Sequence, residues 1–403
     1  MKNNSVLYLF WISIIVAGCS SNKQAKDGLP VIDIRKSYPE KEIILTDIAD
    51  VTYLHLNTDN DEYLYKGTIQ NVTDNTIVVY DNSSGSILFF SKDGSPKSRF
   101  NRSGQGPEEY LTVSRIMYDE EKDDVYVGGD ERLNAILIYS SKGEYKRKIA
   151  LPQDIHIPSM ISFDDQSFYV HTLARVVNTQ NVFQSGGETD LIPSSYYTTF
   201  YQIAKADGAV LDYLELPNNE TELMIVYYDK EIMLRPVPTR MVKGADGIFL
   251  CNPENDTVFL YDKDKSLTPV FYKTPPMRET KPKTYLNNCC DIGGYTFFEV
   301  ITLDLDLSIR KPKFPISYYV LDKKTNEIFR QKIVLPDYKN KEFTITPNNI
   351  HKDNVTNGAF FELDLVELKE AYNENRLSGK LKDLVVTLNE FEDNNVFMFV
   401  YFK

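Results

Sequence analysis

The sequence predicts an all-β chain, a six-bladed β-propeller with a short helical segment in its last blade. Three observations carry this. A unit of roughly 45–60 residues recurs along the chain, the period of propeller blades. Short apolar runs are broken by Asn, Asp and Gly at hairpin spacing. Tyr and Phe, which favour strands, number 27 and 22 in 403 residues, whereas Trp occurs once.

Each unit reads as apolar strand, polar turn, second strand, tight turn and third strand. The first copy is Thr76–Tyr80, Ile87–Phe90 and Pro96–Phe100. The second is Val125–Val127, Ala135–Tyr139 and Tyr145–Leu151. The third, Phe168–Val170, Phe200–Ile203 and Val210–Leu216, is split by a long insertion. The fourth is Ile248–Leu250, Val258–Tyr261 and Leu267–Tyr272, and the fifth is Tyr295–Val300, Tyr318–Leu321 and Ile328–Leu335. Lys92-Asp93-Gly94, Lys142-Gly143 and Asp207-Gly208 stand where two strands must reverse, and a hairpin there requires positive φ.

A sixth blade has to come from the two ends of the chain. Gly358–Leu363 and Val396–Phe402 read as strands, and Val51–Leu56 can complete the sheet. Leu365, Leu368 and Tyr372, then Leu381, Leu384, Val385 and Leu388, have helical spacing between them. Pairing of the termini closes a ring, which removes the stacking ends that an open array of blades leaves. An open stack of meanders or two sandwiches is the competing architecture.

The N-terminus carries an address. Lys2 precedes an apolar run, Val6–Val16, too short to span a bilayer, and small residues lead to a cysteine in Val16-Ala17-Gly18-Cys19. This ending resembles the lipobox of bacterial lipoproteins. The resemblance implies cleavage before Cys19 and attachment by acyl chains on that cysteine. Residues 1–18 are then a signal peptide, 19–30 a polar tether and 31–403 the propeller. Cleavage removes one Lys and no acid, so the formal charge moves from −13 to −13 − 1 = −14. With no cluster of Lys and Arg, such a chain is a poor match for nucleic acid.

Three cysteines follow Cys19: Cys251, Cys289 and Cys290. They form neither a disulfide framework nor a zinc pattern. Cys289 and Cys290 read as neighbours on opposite faces of a strand, one of them buried, the alternative being a strained vicinal disulfide.

Further segments carry a family likeness: Ile32-Asp33-Ile34, Leu45–Ala49 leading into Tyr53–Leu56, Ser91–Gly94, Gly104-Gln-Gly-Pro-Glu-Glu-Tyr110, and the tail Asn394–Lys403. With the lipobox, these resemble the six-bladed propeller lipoproteins common in Bacteroidetes, related in architecture to NHL-repeat propellers. Glu108 departs from that family, where a second glycine is frequent. The resemblance implies a lipid-anchored protein of the cell envelope, at the outer membrane. The resemblance leaves the periplasmic and the surface-exposed face open; an acidic run after the cysteine, which in this phylum often accompanies surface export, is absent here and favours the periplasmic side.

Gly104–Pro107 lacks the Lys-Ser/Thr of a phosphate-binding loop and reads as a blade-to-blade turn. Connections of that kind are also expected at Asn57–Glu62, Pro152–Pro158, Pro217–Glu222, Thr274–Pro282 and Pro336–Asp353. In a propeller they share one face, around the channel mouth. Candidate ligand-binding residues there are Asp59, Asp61, Arg102, Gln105, Glu108, Asp154, His156 and Arg278. Asp59-Asn60-Asp61 begins like a calcium loop but lacks its Gly and its closing Glu. His55, His156, His171 and His351 have no i,i+4 pair, and no nucleophile elbow or zinc-protease motif is present. The reading calls for no cofactor and no resident metal. It favours a non-catalytic module that captures a glycan, a peptide or an envelope protein. A lyase or hydrolase at the channel mouth and a structural envelope scaffold are the alternatives. Convergence of His with Asp or Glu on the axis favours the first of these, and an apolar plug the second.

Overall fold

The computed structural model describes residues 28–58, 61–129, 133–151, 159–171, 189–193, 199–216, 222–228, 232–234, 239–304, 313–350 and 358–403. The chain enters through β1 (Val31–Asp33), β2 (Glu40–Ile44), a one-turn helix α1 (Leu45–Ile48) and β3 (Ala49–His55). Blade I is β4 (Gly67–Val72), β5 (Thr76–Asp81), β6 (Ser86–Ser91) and β7 (Pro96–Asn101). Blade II is β8 (Arg115–Asp119), β9 (Asp124–Gly128), β10 (Ala135–Tyr139) and β11 (Tyr145–Ala150). Blade III begins with β12 (Ser159–Ser162) and β13 (Ser167–His171). After β14 (Thr189–Pro193) it resumes with β15 (Thr199–Ala204) and β16 (Val210–Glu215). Next come β17 (Glu222–Tyr228) and β18 (Ile232–Leu234).

Blade IV is β19 (Met241–Lys243), β20 (Gly247–Asn252), β21 (Thr257–Asp262) and β22 (Leu267–Thr274). Blade V is β23 (Thr284–Ile292), β24 (Tyr295–Thr302), β25 (Ile316–Asp322) and β26 (Glu327–Leu335), extended by β27 (Tyr338–Phe343). Blade VI holds β28 (Gly358–Leu363), two helices, α2 (Leu365–Asn373) and α3 (Gly379–Thr387), and β29 (Val396–Phe402). The protein is a six-bladed β-propeller, as its repeat predicts.

Inner and outer strands follow from burial. β7 and β11 alternate exposed and half-buried residues, as outermost strands do, whereas β5, β6, β9 and β10 are buried almost throughout. A middle strand packs on both faces, which is why it reads as a continuous apolar run. In blade I, Ile77, Val79, Leu88 and Phe90 join Phe397 and Phe399 of blade VI. Val78, Ile87 and Phe89 join Ile116, Val125, Leu137 and Tyr139 of blade II. Each blade is thus the filling between its two neighbours and buries neither face alone.

The N-terminal strands close the ring and clasp its outside. β3 pairs antiparallel with β29, from Ala49↔Phe402 to His55↔Val396. β1 adds a fifth, parallel strand to β22 of blade IV, and β2 does the same to β26 of blade V. The segment therefore walks along three consecutive blades and covers sheet edges that are otherwise open. The outer strands of blades I and II carry Lys97, Arg99, Lys146, Arg147 and Lys148 instead, charges that oppose edge pairing. The strand pattern over Ile43–Leu56 is interrupted by α1. Cys289 and Cys290 differ from expectation in that both are buried, free thiols on β23. Burial pushes both thiols well above their ordinary range.

The outer hairpin of each of the first three blades docks against the blade before it. Gly94, Gly143 and Gly208 all have positive φ. A Cβ would stand 2.2 Å from the His55 carbonyl at Gly94, 2.5 Å from Phe100 Cβ at Gly143, and 2.5 Å from the Ala150 carbonyl at Gly208. These glycines serve close approach as well as the turn. Gly143→Ala is expected to cost about 2 kcal/mol or more, from strained φ plus overlap. The check is urea unfolding beside Ser141→Ala in the same hairpin, which should be close to neutral.

Candidate functional site

Strand alternation sorts the loops. Among the described residues, the strand ends that open into blade-to-blade connections and into loops between second and third strands lie at one end of the ring, here the connection end. In blades I to V the other end has only turns of two to five residues. Those turns lock blades together. Glu120 of blade II accepts from the Thr73 and Thr76 hydroxyls of blade I at 2.8 and 2.5 Å, and Arg147 of blade II donates to the Lys205 carbonyl of blade III at 3.0 Å.

The connection end is built outwards. The two insertions in and after blade III meet in one small sheet, with β14 pairing antiparallel to β17 and β17 to β18. Helices α2 and α3 span the loop between β28 and β29. They are docked by Leu365, Leu368, Ala371, Leu381 and Val385, which join the core of blades IV to VI. Asp364 caps α2 by accepting from the Glu367 N–H at 3.0 Å.

The loop of Gly104–Tyr110 joins blades I and II. Tyr110 is buried and fixes it: its hydroxyl donates to the Gly85 carbonyl at 2.8 Å and accepts from the Arg102 N–H at 3.2 Å. Glu109 folds over the glycines and accepts from the Gly106 N–H at 2.9 Å, and a Cβ at Gly104 would lie 2.0 Å from that carboxylate. Tyr139 of blade II donates to the Glu108 carbonyl at 2.8 Å. Arg102 Nε donates to the Gly143 carbonyl at 2.8 Å. Arg102, Gln105 and Glu108 are exposed on this fixed loop. Arg278 is exposed in the one-turn 3-10 segment Met277–Glu279, between blades IV and V. Asp61 is exposed, with φ 69°, in the connection from blade VI to blade I. Cys19, Asp59, Asp154, His156 and His351 lie outside the described residues. The described predicted residues thus share an end of the ring but sit at three different blade junctions.

Sequence reasoning missed two polar clusters at this end. Lys273, at the end of β22, is fully buried with its amine 2.8 Å from Asp256, and it donates to the Pro275 carbonyl at 2.5 Å. The other oxygen of Asp256 accepts from the Met277 N–H at 2.8 Å. The pair thereby pins the connection from blade IV to blade V. The second cluster centres on Asn287, which accepts from the Thr239 N–H at 2.9 Å and donates to the buried Glu299 carboxylate at 2.7 Å. Asn288, at a bulge in β23, donates to the Thr239 carbonyl at 2.9 Å. The signal for both was polar residues inside strand or turn runs, Asn252-Pro-Glu-Asn-Asp256 and Leu286-Asn-Asn-Cys289.

Burial holds the Glu299 carboxyl above the ordinary carboxylate range, while the Asn287 amide pulls the other way. A carboxyl with a raised folded pKa contributes stability at acid pH that is lost as pH rises through that pKa. Glu299→Gln keeps an acceptor for Asn287 and cannot ionise. It should melt above the parent near about pH 8 and level with it near about pH 4, by calorimetry across that range.

A third feature joins blade VI to blade I. Asn394 is buried and donates to the Leu56 and Tyr63 carbonyls, both at 2.9 Å, while its carbonyl accepts from the Tyr65 N–H at 3.1 Å. It latches Leu56, Tyr63 and Tyr65 to the turn after α3. His55 stands 3.3 Å from Asp393 in the same place. His171, at the end of β13 in blade III, packs on Phe200 instead. Among the described residues no group of three or more His, Cys, Asp or Glu is arranged to hold a metal ion, and no helix is long and apolar enough to cross a membrane. Among the described residues, this end offers hydrogen-bonding and charged groups on its loops.

Residues 29–401 match the profile of a domain of unknown function, DUF4934. No curated protein matches the chain. Among solved structures, the chain is similar in fold to a candidate exported protein of Bacteroides fragilis. The identity is 15%, with 93% of this chain and 99% of that one covered and a TM-score of 0.57. A luciferin-regenerating enzyme (9% identity, 88% and 98% covered, TM-score 0.40) is more distant. So is a virginiamycin B lyase of Staphylococcus aureus (12% identity, 77% and 92% covered, TM-score 0.36).

Proposed function

We propose the following function for this chain, which belongs to the DUF4934 family of domains of unknown function. It is a lipid-anchored envelope protein whose propeller binds a ligand at the connection end without transforming it. Residues 1–18 act as the signal, Cys19 carries the lipid, residues 19–30 are the tether, and the ring lies on the periplasmic side of the outer membrane. The lipobox sequence supports the anchor, and the likeness to an exported Bacteroides protein agrees with it.

The observation that carries the binding role is the asymmetry of the two ends. In blades I to V one end has only short turns that lock blades together. The other carries both insertions, the helices, the long connections and exposed polar side chains on fixed loops. Fixed polar groups on a rigid scaffold are what orient a ligand such as a glycan or peptide, because little entropy is lost on binding.

Two experiments test this. Labelled palmitate should enter the parent in cells and not Cys19→Ser. In a thermal-shift panel of oligosaccharides, peptides and divalent metals, one class of organic ligand should raise the melting temperature saturably and be recovered unchanged. Turnover of the ligand, or stabilisation by a metal alone, would favour an enzyme instead.

A further inference from the structure

We propose that the outer edge of blade III, strand β16, takes up an uncharged extended segment of a partner protein as a fifth strand. This surface is on the rim of the ring, so it stands apart from the reading of the connection end.

The outer edges of the other blades are covered, polar or charged. β1 and β2 cover β22 of blade IV and β26 of blade V. In blade VI the outer strand β3 exposes only Asp50 and Thr52. Blades I, II and III pair their third and fourth strands alike, with one extra residue bulged on the fourth. That residue is Lys97 in blade I, Lys146 in blade II and Leu211 in blade III. Two positions further on stand Arg99, Lys148 and Tyr213, opposite Leu88, Leu137 and Tyr201. All six of these outer residues are exposed. Cations at both places oppose strand addition in blades I and II, and blade III has Leu and Tyr there instead. Val210, Leu211 and Tyr213 are 42%, 52% and 64% exposed. β16 has no Lys or Arg, and no described strand pairs with its outer side. The Tyr213 N–H donates to the Asp212 carboxylate at 2.9 Å, a local contact that an incoming carbonyl can replace.

The molecule itself shows what such an edge accepts. β1 is three residues long and buries Ile32 completely; β2 is five long and leaves Ile43 only 7% exposed. Backbone pairing plus one buried aliphatic side chain is the mode of strand addition. Blade III borders blade IV, so the row of added strands along the rim stops at β16. Charge about this edge is mixed. Asp212 holds Lys265 of blade IV at 3.4 Å, in a turn that also carries Lys263 and Asp264. Arg147 of blade II donates to the Lys205 carbonyl in the hairpin before the strand, and Asp207 and Glu215 are exposed. Neither sign dominates, so the segment is uncharged and rich in Val, Ile and Thr, which suit a strand. A second copy of the ring fits less well. Two chains of formal charge −13 repel, and a contact of two six-residue strands is small beside the roughly 1,200 Å² that a stable interface buries.

The test is fluorescence anisotropy of the full chain with a labelled eight-residue peptide alternating Thr with Val and Ile, and with the same peptide methylated on every backbone nitrogen. The unmethylated peptide should bind saturably and slow hydrogen exchange at residues 210–215. Leu211→Lys with Tyr213→Lys gives blade III the charges of blade II. It should weaken binding at least tenfold without moving the melting temperature, because both side chains are exposed. Tyr213→Ser, which adds no charge, should weaken binding severalfold. The methylated peptide should not bind. The proposal is overturned if the unmethylated peptide does not bind, if the double variant binds it as the parent does, if the methylated peptide binds equally, or if protection falls on another strand. Sedimentation velocity of the parent without peptide tests the second copy. A monomer supports the proposal, and a dimer that the double variant dissociates would assign the edge to a second copy and overturn it.

Discussion

Replacing Lys273 by Met is expected to destabilise the protein by about 3–5 kcal/mol. The amine is at 0% exposure, and its two partners are the Asp256 carboxylate and the Pro275 carbonyl. Burial pulls Lys273 below the ordinary ammonium range and lifts Asp256 above the ordinary carboxylate range, and each charge opposes the shift in the other. Removing the amine alone strands Asp256, at 4% exposure, without its counter-charge. The Lys273→Met, Asp256→Asn double variant should recover much of the loss. It removes both charges and keeps an acceptor for the Met277 N–H. Urea unfolding of the two singles and the double closes the cycle. If Lys273→Met alone unfolded within about 1 kcal/mol of the parent, the pair would not be the pin of the connection between blades IV and V.

Deleting residues up to 56 should abolish the folded ring, whereas deleting only up to 47 should leave a ring of lower melting temperature. β3 supplies seven residues of pairing to β29, and its loss leaves blade VI as two strands with an open apolar edge, including Val396, Met398 and Val400 of the core. The shorter deletion removes β1, β2 and most of α1. It uncovers the edges of blades IV and V and takes Ile32, Ile43 and Leu45 from the same core. Three buried aliphatic side chains are worth about 1.5–3 kcal/mol each in transfer alone, an upper estimate because the unfolded chain is partly collapsed. Circular dichroism melts separate the outcomes: no cooperative transition for the long deletion, a lowered one for the short. A cooperative melt after the long deletion would contradict closure by the termini.

The fold was legible because a propeller is a repeat, and its middle strands cannot hide their pattern. Ile77-Val-Val79 and Ile87-Leu-Phe-Phe90 are apolar throughout because both faces of the blade are packed. The innermost strands were not legible. β4 (Gly-Thr-Ile-Gln-Asn-Val) and β8 (Arg-Ile-Met-Tyr-Asp) mix polar and apolar residues, because one edge faces the axis and not a neighbouring strand. β4 and β23 are also bulged, which breaks the two-residue period. The parallel strands β1 and β2 were equally opaque in their pairing. Ile32 and Ile43 announce strands, but nothing local says that their partners lie some 240 and 290 residues on, at Lys273 and Ile333.

The candidate site was legible in its loops and not in its polar interior. The glycines of the Gly104–Tyr110 connection permit a turn, so a turn could be read from them, whereas the close approach of the Glu109 carboxylate to Gly104 could not. Lys273, Asp256, Asn287 and Glu299 look like ordinary surface residues in sequence. Their burial depends on partners brought up by the fold, Asp256 beside Lys273 and Thr239 and Glu299 beside Asn287.

The central claim, that the connection end binds and the opposite end only locks the ring, is tested most directly by repeating the thermal-shift panel on three proteins. These are the parent, a connection-end variant with Arg102, Gln105 and Glu108 each changed to Ala, and an opposite-end variant with Glu121 and Asp165, exposed in the first turns of blades II and III, each changed to Ala. All three should melt cooperatively. One ligand class should stabilise the parent and the opposite-end variant saturably, with the connection-end variant needing markedly more ligand. Equal stabilisation of all three, or loss of the response only in the opposite-end variant, would contradict the account.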